Sequence, residues 1–174
     1  DRPVSGIMVY AKNPKAAASL STSLQQGKIE KWYQAVICGK PVDNNGTYVD
    51  YLKQDKKNNC SRIVDKSDPE SKRAELEYKV LDCMQTEEKD PQYLSLVEIK
   101  LLTGRHHQIR VQFSGHGTPL YGDGKYGNNE KAVRKSLALC ACHLKFKHPA
   151  TGKIMDFQIK PDTGAFKLFS KSND

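Results

Sequence analysis

Apolar positions recur along this chain mainly in short runs and period-two alternations, the mark of strands, with a few helical stretches between them. Residues 31–39 alternate, with Tyr33, Ala35 and Ile37 on one face and Trp32, Gln34, Val36 and Cys38 on the other. This predicts a strand partly covered on both sides. Residues 6–11 are an apolar run that predicts a buried strand. Asn13-Pro14 then offers an N-cap and a first-turn proline for a helix with Ala17, Leu20 and Leu24 on one side, ending near Gly27. The turn at 43–46, Asp-Asn-Asn-Gly, tolerates positive φ and leads into a strand over about 47–53.

From 54 to 73 the composition turns polar. That predicts a mobile surface connection with at most one short strand around 62–64. Residues 74–84 and 93–102 read as neighbouring antiparallel strands separated by a polar turn. Over 107–114, Ile109 and Phe113 stand four apart, so a short helix can turn both to the core and leave Arg110 on another side. Residues 137–146 and 154–159 flank a longer turn and predict a hairpin, followed by a short helix after Pro161. Strands in sequence with occasional helices point to an α+β fold with a mixed, largely antiparallel sheet and flanking short helices. At 174 residues and 37% hydrophobic content, the chain is expected to form one domain over 1–174.

The 28 Lys and Arg outnumber the 20 Asp and Glu, giving a formal charge of +8 that favours an anionic partner such as nucleic acid. The five cysteines are an odd set without a Cys-x-x-Cys pair, which predicts reduced thiols and a cytoplasmic setting rather than a disulfide framework. Cys140, Cys142 and His143 raise the question of zinc. The structural ligand spacings are missing, and buried free thiols are the expectation. No run reaches the ~18–20 apolar residues of a membrane span.

The chemistry-bearing residues fall in five segments. Asp1-Arg-Pro-Val-Ser-Gly6 opens the chain, and Lys31-Trp-Tyr-Gln-Ala35 lies on the alternating strand. Thr103-Gly-Arg-His-His-Gln-Ile-Arg110 precedes Pro119-Leu-Tyr-Gly-Asp-Gly-Lys-Tyr-Gly127, and residues 137–152 end in His-Pro-Ala-Thr-Gly. Together they resemble the RluA-type pseudouridine synthases, with Asp-Arg-x-x-Ser-Gly, Lys-x-Tyr-x-Ala, Thr-Gly-Arg-x-His-Gln-Ile-Arg and Gly-Asp-x-x-Tyr-Gly as the matched patterns. The resemblance spans nearly the whole chain, and residues 54–73 and 85–91 are its least distinctive parts. Cys140 and Gln112 each stand where the family commonly has histidine.

The resemblance implies an isomerase that converts uridine to pseudouridine in structured RNA without a cofactor or metal. Asp1 matches the catalytic aspartate, Tyr33 the tyrosine that lies against the target uracil and is the favoured general base, and Arg110 the arginine that pairs with the catalytic carboxylate. Arg2, Arg105, His107 and Gln108 are expected to contact RNA, while Gly104, Asp123 and Tyr126 shape the active-site wall. His106 occupies a variable position and receives no role. The expected partner is RNA, ribosomal first and transfer RNA second, with no membrane and no obligate protein partner. The chain begins at Asp1 without the His-Arg-Leu that commonly precedes that aspartate, so a fragment or processed chain lacking an upstream part of the domain is expected.

Each residue alone has a plainer reading. Asp1 suits a surface cap, Tyr33 a sheet-packing tyrosine and Arg110 an exposed helix face. Residues 122–127 also satisfy Gly-x-Gly-x-x-Gly, but without the βαβ unit that a dinucleotide site requires. The alternative function is a non-catalytic RNA-binding or RNA-folding protein on the same scaffold. A carboxylate–histidine hydrolase stands last, since no Gly-x-Ser-x-Gly or metal pattern accompanies it.

Overall fold

The computed structural model of the chain describes residues 3–86, 92–127 and 136–170. Their elements run β1 (Ser5–Gly6), α1 (Pro14–Gln25), β2 (Glu30–Cys38), β3 (Asn45–Asp55), β4 (Cys60–Val64), β5 (Lys72–Gln85), β6 (Tyr93–Leu101), α2 (Gln108–Gly115), β7 (Leu139–Lys147), β8 (Ile154–Gln158) and a 3-10 helix, Gly164–Phe169. The strands form one sheet in the order β1-β7-β2-β6-β5-β3-β4, with β8 also on β7. Only the β1–β7 pair is parallel among these pairings. The α+β class with a largely antiparallel sheet is what the alternation predicts.

The centre of the sheet is β2 against β6, with Ala35, Val36 and Ile37 facing Val97, Leu96 and Ser95 in register. Ala35 and Ile37 join Leu76, Tyr78, Val97, Ile99 and, from α2, Ile109 and Phe113 on one face. Val36 joins Leu94, Cys140 and the 3-10 helix residues Ala165 and Phe166 on the other. A strand covered on both sides has to be apolar at consecutive positions, which explains the unbroken Ala-Val-Ile.

Asn13 caps α1, its side chain accepting from Ala16 N–H at 2.9 Å, with Pro14 in the first turn. Leu20 of α1 packs with Ile7, Val9, Ile29, Leu144 and Phe146.

The strand expected over residues 6–11 is corrected: β1 is only Ser5–Gly6, and Met8 and Tyr10 are 68% and 80% exposed. The cause lies on β7. Its free edge pairs with β1 at Cys140 and Ala141, and from His143 onward the same edge is taken by β8. Ile159 N–H already bonds to the Cys142 carbonyl, so residues past Ile7 find no edge to join.

A bulge accompanies this change of partner. Trp32 faces His143 and Tyr33 faces Ala141, leaving Cys142 as the extra residue on β7. The bulge swaps the faces of β7, so Ala141 lies beside Tyr33 while His143 stacks on Trp32 on the reverse side, with ring centroids 4.1 Å apart. Cys140 and Cys142 are buried free thiols, and burial pushes the Cys142 thiol up to about 11.

The polar stretch 54–73 holds the short strand expected around 62–64, as β4 at Cys60–Val64. It is the end of β3, a tight turn, β4 and a connection held by Lys53 bonded to Asp68 and Glu70. No helix among the described residues is long and apolar enough to cross a membrane.

Candidate active site

On the face that carries α2, a cleft of about 790 Å³ opens between residues 3–8 and the N-terminal turn of α2. Its wall includes Lys31 and Tyr33 of β2, Gly104 through Arg110, Lys125, and Leu139 and Ala141 of β7. All four matched patterns thus reach it within the described residues, Lys125 bringing in the Gly-Asp-x-x-Tyr-Gly stretch, and Leu139 and Ala141 add the 137–152 segment. Asp1 and Arg2, and with them the expected Asp1–Arg110 pair, lie outside the described residues.

The approach of the opening segment depends on Gly6, which has φ of +121°. A Cβ there would lie 2.3 Å from the Ala141 carbonyl oxygen, so only glycine lets β1 lie in register on β7. Pro3 and Val4 then sit in the cleft wall.

Arg110 is 6% exposed and Asp123 is fully buried. The guanidinium donates from Nε to Asp123 Oδ2 at 2.8 Å and from Nη2 to Oδ1 at 2.7 Å, a bidentate fork. Oδ1 also accepts the backbone N–H groups of Lys125 and Tyr126 at 3.0 Å each. Burial alone pushes the Asp123 carboxyl up, but the Arg110 hydrogen bond, the Tyr126 and Lys125 N–H groups and the Arg110 charge bring it below its ordinary value. Asp123 therefore does more than brace a wall: it fixes the plane of Arg110, which also lies over the Tyr126 ring, 5.0 Å from its centroid.

His107 sits at the N-cap position of α2 with φ of 53° and makes no capping bond. A non-glycine residue in that region costs about 1–3 kcal/mol, which neighbouring contacts must offset. Its Nδ1 shares a 2.7 Å hydrogen bond with the Tyr126 hydroxyl, which accepts from Ser61 N–H at 2.8 Å. Burial, then the nearby His106, Arg110 and Lys125 charges, push the His107 imidazole down to about 4.

Gln108 was expected to contact RNA, yet it is 3% exposed. Its Oε1 accepts from the Thr103 hydroxyl and Arg105 N–H, and its Nε2 donates to the Glu75 carbonyl. Those bonds shape the turn that presents Arg105. Arg105 is exposed on the cleft wall, with Nε donating to the Arg73 carbonyl at 2.8 Å.

Tyr33 lies in the wall two residues from Lys31, on the same face of β2. Burial, and secondly the Cys142 thiol, push its phenol above the ordinary value, so at neutral pH it presents a ring face and a neutral hydroxyl.

His106 and Asn59 are among the cleft residues that the sequence left without a role. His106 lines the cleft, packs on His107 at 3.8 Å between centroids, and bonds through Nδ1 to Ser61 Oγ and through Nε2 to Asn59 Oδ1. Asn59, from the polar stretch, lines the cleft as well, and its carbonyl accepts from Lys125 Nζ at 2.7 Å. The clue available in the sequence was the Asn58-Asn59 pair, which tolerates the left-handed turn that Asn59 makes with φ of 49°.

Of the two departures from the motifs, Gln112 is fully buried, its Nε2 donating to Asp50 Oδ2 at 2.7 Å, and it ties α2 to β3 rather than facing the cleft. Cys140 packs on the reverse face of the sheet.

A family model described as RNA pseudouridylate synthase matches residues 1–115. The chain is 34% identical over 168 residues to the ribosomal large subunit pseudouridine synthase D of Zymomonas mobilis subsp. mobilis, covering 92% of this chain and 50% of that protein. It is 35% identical over 158 residues to the uncharacterized RNA pseudouridine synthase YlyB of Bacillus subtilis, covering 91% and 49%. The chain thus spans about half the length of these relatives. The solved structure of human RNA pseudouridylate synthase domain containing 1 superposes with a TM-score of 0.72 at 24% identity, over 87% of this chain and 62% of that one, so the two share a fold. With its motifs gathered in one cleft and the family model matching more than half its length, the chain belongs to the RNA pseudouridylate synthase family.

Proposed function

We propose that this chain is the catalytic domain of an RNA pseudouridine synthase, with Asp1, Tyr33 and Arg110 as its catalytic residues. The observation that carries the reading is the cleft itself: a neutral phenol, a rigidly held guanidinium and further cations line one recess of about 790 Å³. The backbone enters that recess at Pro3, one residue from Arg2 and two from Asp1.

In this reading a uridine leaves its stack, at a cost of a few kcal/mol, and enters the recess. The Asp1 carboxylate attacks the nucleotide and the bond from ribose C1′ to uracil N1 breaks. The uracil, retained against Tyr33, turns and rejoins C1′ through C5 as the bond to the Asp1 carboxylate breaks and frees it. The C5 hydrogen departs as a proton and N1 takes one up, so product and substrate are isomers. Arg110, with its Nε and Nη2 edge fixed by Asp123, is assigned to orient Asp1 and favour its ionised form. Tyr33 is assigned the proton transfer from C5. A phenol held above its ordinary value is a base only in its scarce ionised form, so this role predicts turnover climbing between about pH 6 and 9, and a flat profile assigns Tyr33 to positioning.

Arg2, Arg105 and His107 serve RNA contact, and Gln108, given its internal bonds, serves by shaping the turn before α2. The proposed target class is large-subunit ribosomal RNA in the cytoplasm, after the printed name of the Zymomonas relative, with transfer RNA as the competing class. RNA from cells lacking the gene, incubated with the full-length protein and mapped for pseudouridine, is the test. Wild type should modify discrete sites and Asp1→Asn none; equal modification by both removes Asp1 from the mechanism. RNA binding without any isomerised uridine points to the non-catalytic alternative.

A further inference from the structure

Among the described residues that line the cleft there is no carboxylate, while Lys31, Arg105, Arg110 and Lys125 contribute cationic side chains. Three of these have oxygen partners inside the protein. Arg110 is bonded to Asp123, Lys125 Nζ donates to the Asn59 carbonyl, and Arg105 Nε donates to the Arg73 carbonyl. The Lys31 ammonium makes no hydrogen bond or ion pair with any described residue, although it projects from β2 into the same recess. Its ammonium lies over Gly104, where a Cβ would come within 3.3 Å of Nζ. Glycine at 104 therefore leaves the ammonium its room.

We propose that Lys31 forms a phosphate subsite, receiving a phosphodiester of the bound RNA next to the nucleotide whose base lies on Tyr33. This rests on the RNA-modifying reading above and adds the group that Lys31 recognises. Three considerations converge on phosphate. A lysine ammonium is a compact point charge suited to a phosphodiester, and it lacks the fork that selects base edges. Lys31 and Tyr33 are separated by one residue on one strand, roughly 6.6 Å along it, which sets base and phosphate a nucleotide unit apart. Burial also lowers the Lys31 ammonium below its ordinary value, and an anion entering the recess would reverse that shift.

The test titrates the full-length protein with a fluorescently labelled single-stranded oligouridylate across about 50–200 mM KCl, followed by anisotropy. Lys31→Gln should weaken binding several-fold and lower the slope of log K against log salt by about 0.7, the value for one phosphate contact on a single strand. Lys31→Arg should restore the slope, and an unchanged denaturation midpoint in both variants shows that the fold is intact. An unaltered slope in Lys31→Gln overturns the proposal. So does lost turnover with binding and slope unchanged, because Lys31 would then act on the carboxylate and not on phosphate. If wild type forms no pseudouridine in any RNA while the slope still drops, the phosphate subsite stands and the catalytic reading fails.

Discussion

Arg110 and Lys31 face one cleft and are held in opposite ways. Arg110 is clamped by a fully buried carboxylate that is itself anchored by two backbone N–H groups, whereas Lys31 reaches the cleft from β2 and its ammonium pairs with no anion among the described residues. A cation with its counterion built in keeps a fixed direction whether or not ligand is present. A cation without one leaves its charge to be met by what binds. The first arrangement suits orientation of a reacting group, and the second suits capture of a substrate.

The largest effect that would break this contrast is expected at the clamp. Arg110→Met leaves Asp123 buried without its partner and should cost about 3–5 kcal/mol of stability, read by urea denaturation. Adding Asp123→Leu to that variant should recover a large part of the loss without restoring turnover. If the single variant is as stable as wild type, the pair is not the fixed element described.

A smaller effect is expected from the neighbouring His107. Its imidazole is held at about 4, below its ordinary 6.5. The unfolded chain binds that proton first as pH falls, so the contribution to stability is complete above about 6.5 and is lost progressively as pH drops toward 4. Urea midpoints measured across that window should fall less steeply in His107→Asn, a residue that tolerates the left-handed backbone there. The smallest effect is expected at Lys31, where Lys31→Gln should change stability by no more than about 0.5 kcal/mol. A loss comparable to that of Arg110→Met would erase the contrast.

Local pattern made much of this legible. The alternation at 31–39 assigns Tyr33 to one face and Trp32 to the other, and the four-residue spacing of Ile109 and Phe113 predicts a short helix that leaves Arg110 off the core. What escaped depends on distant partners. Residues 6–11 carry a strand's apolar content, but β8, about 150 residues downstream, occupies the edge they would need. Asp123 reads as a wall residue until folding places it 13 positions back along the chain against Arg110. Gln108 looks like an RNA-facing donor until Glu75 of β5 is seen to take its amide. His106 and Asn59, 47 residues apart, meet only because the β3–β4 turn folds toward the N-terminal turn of α2.

The stack of Trp32 on His143 gives the molecule a built-in optical gauge. Trp32 is the chain's sole tryptophan, and it stands on β2 between Lys31 and Tyr33 but points to the other side of the sheet. Indole emission responds to the ring stacked on it, so any shift of β2 at Lys31 and Tyr33 when RNA is added can be sought, unlabelled, from behind the strand that carries them.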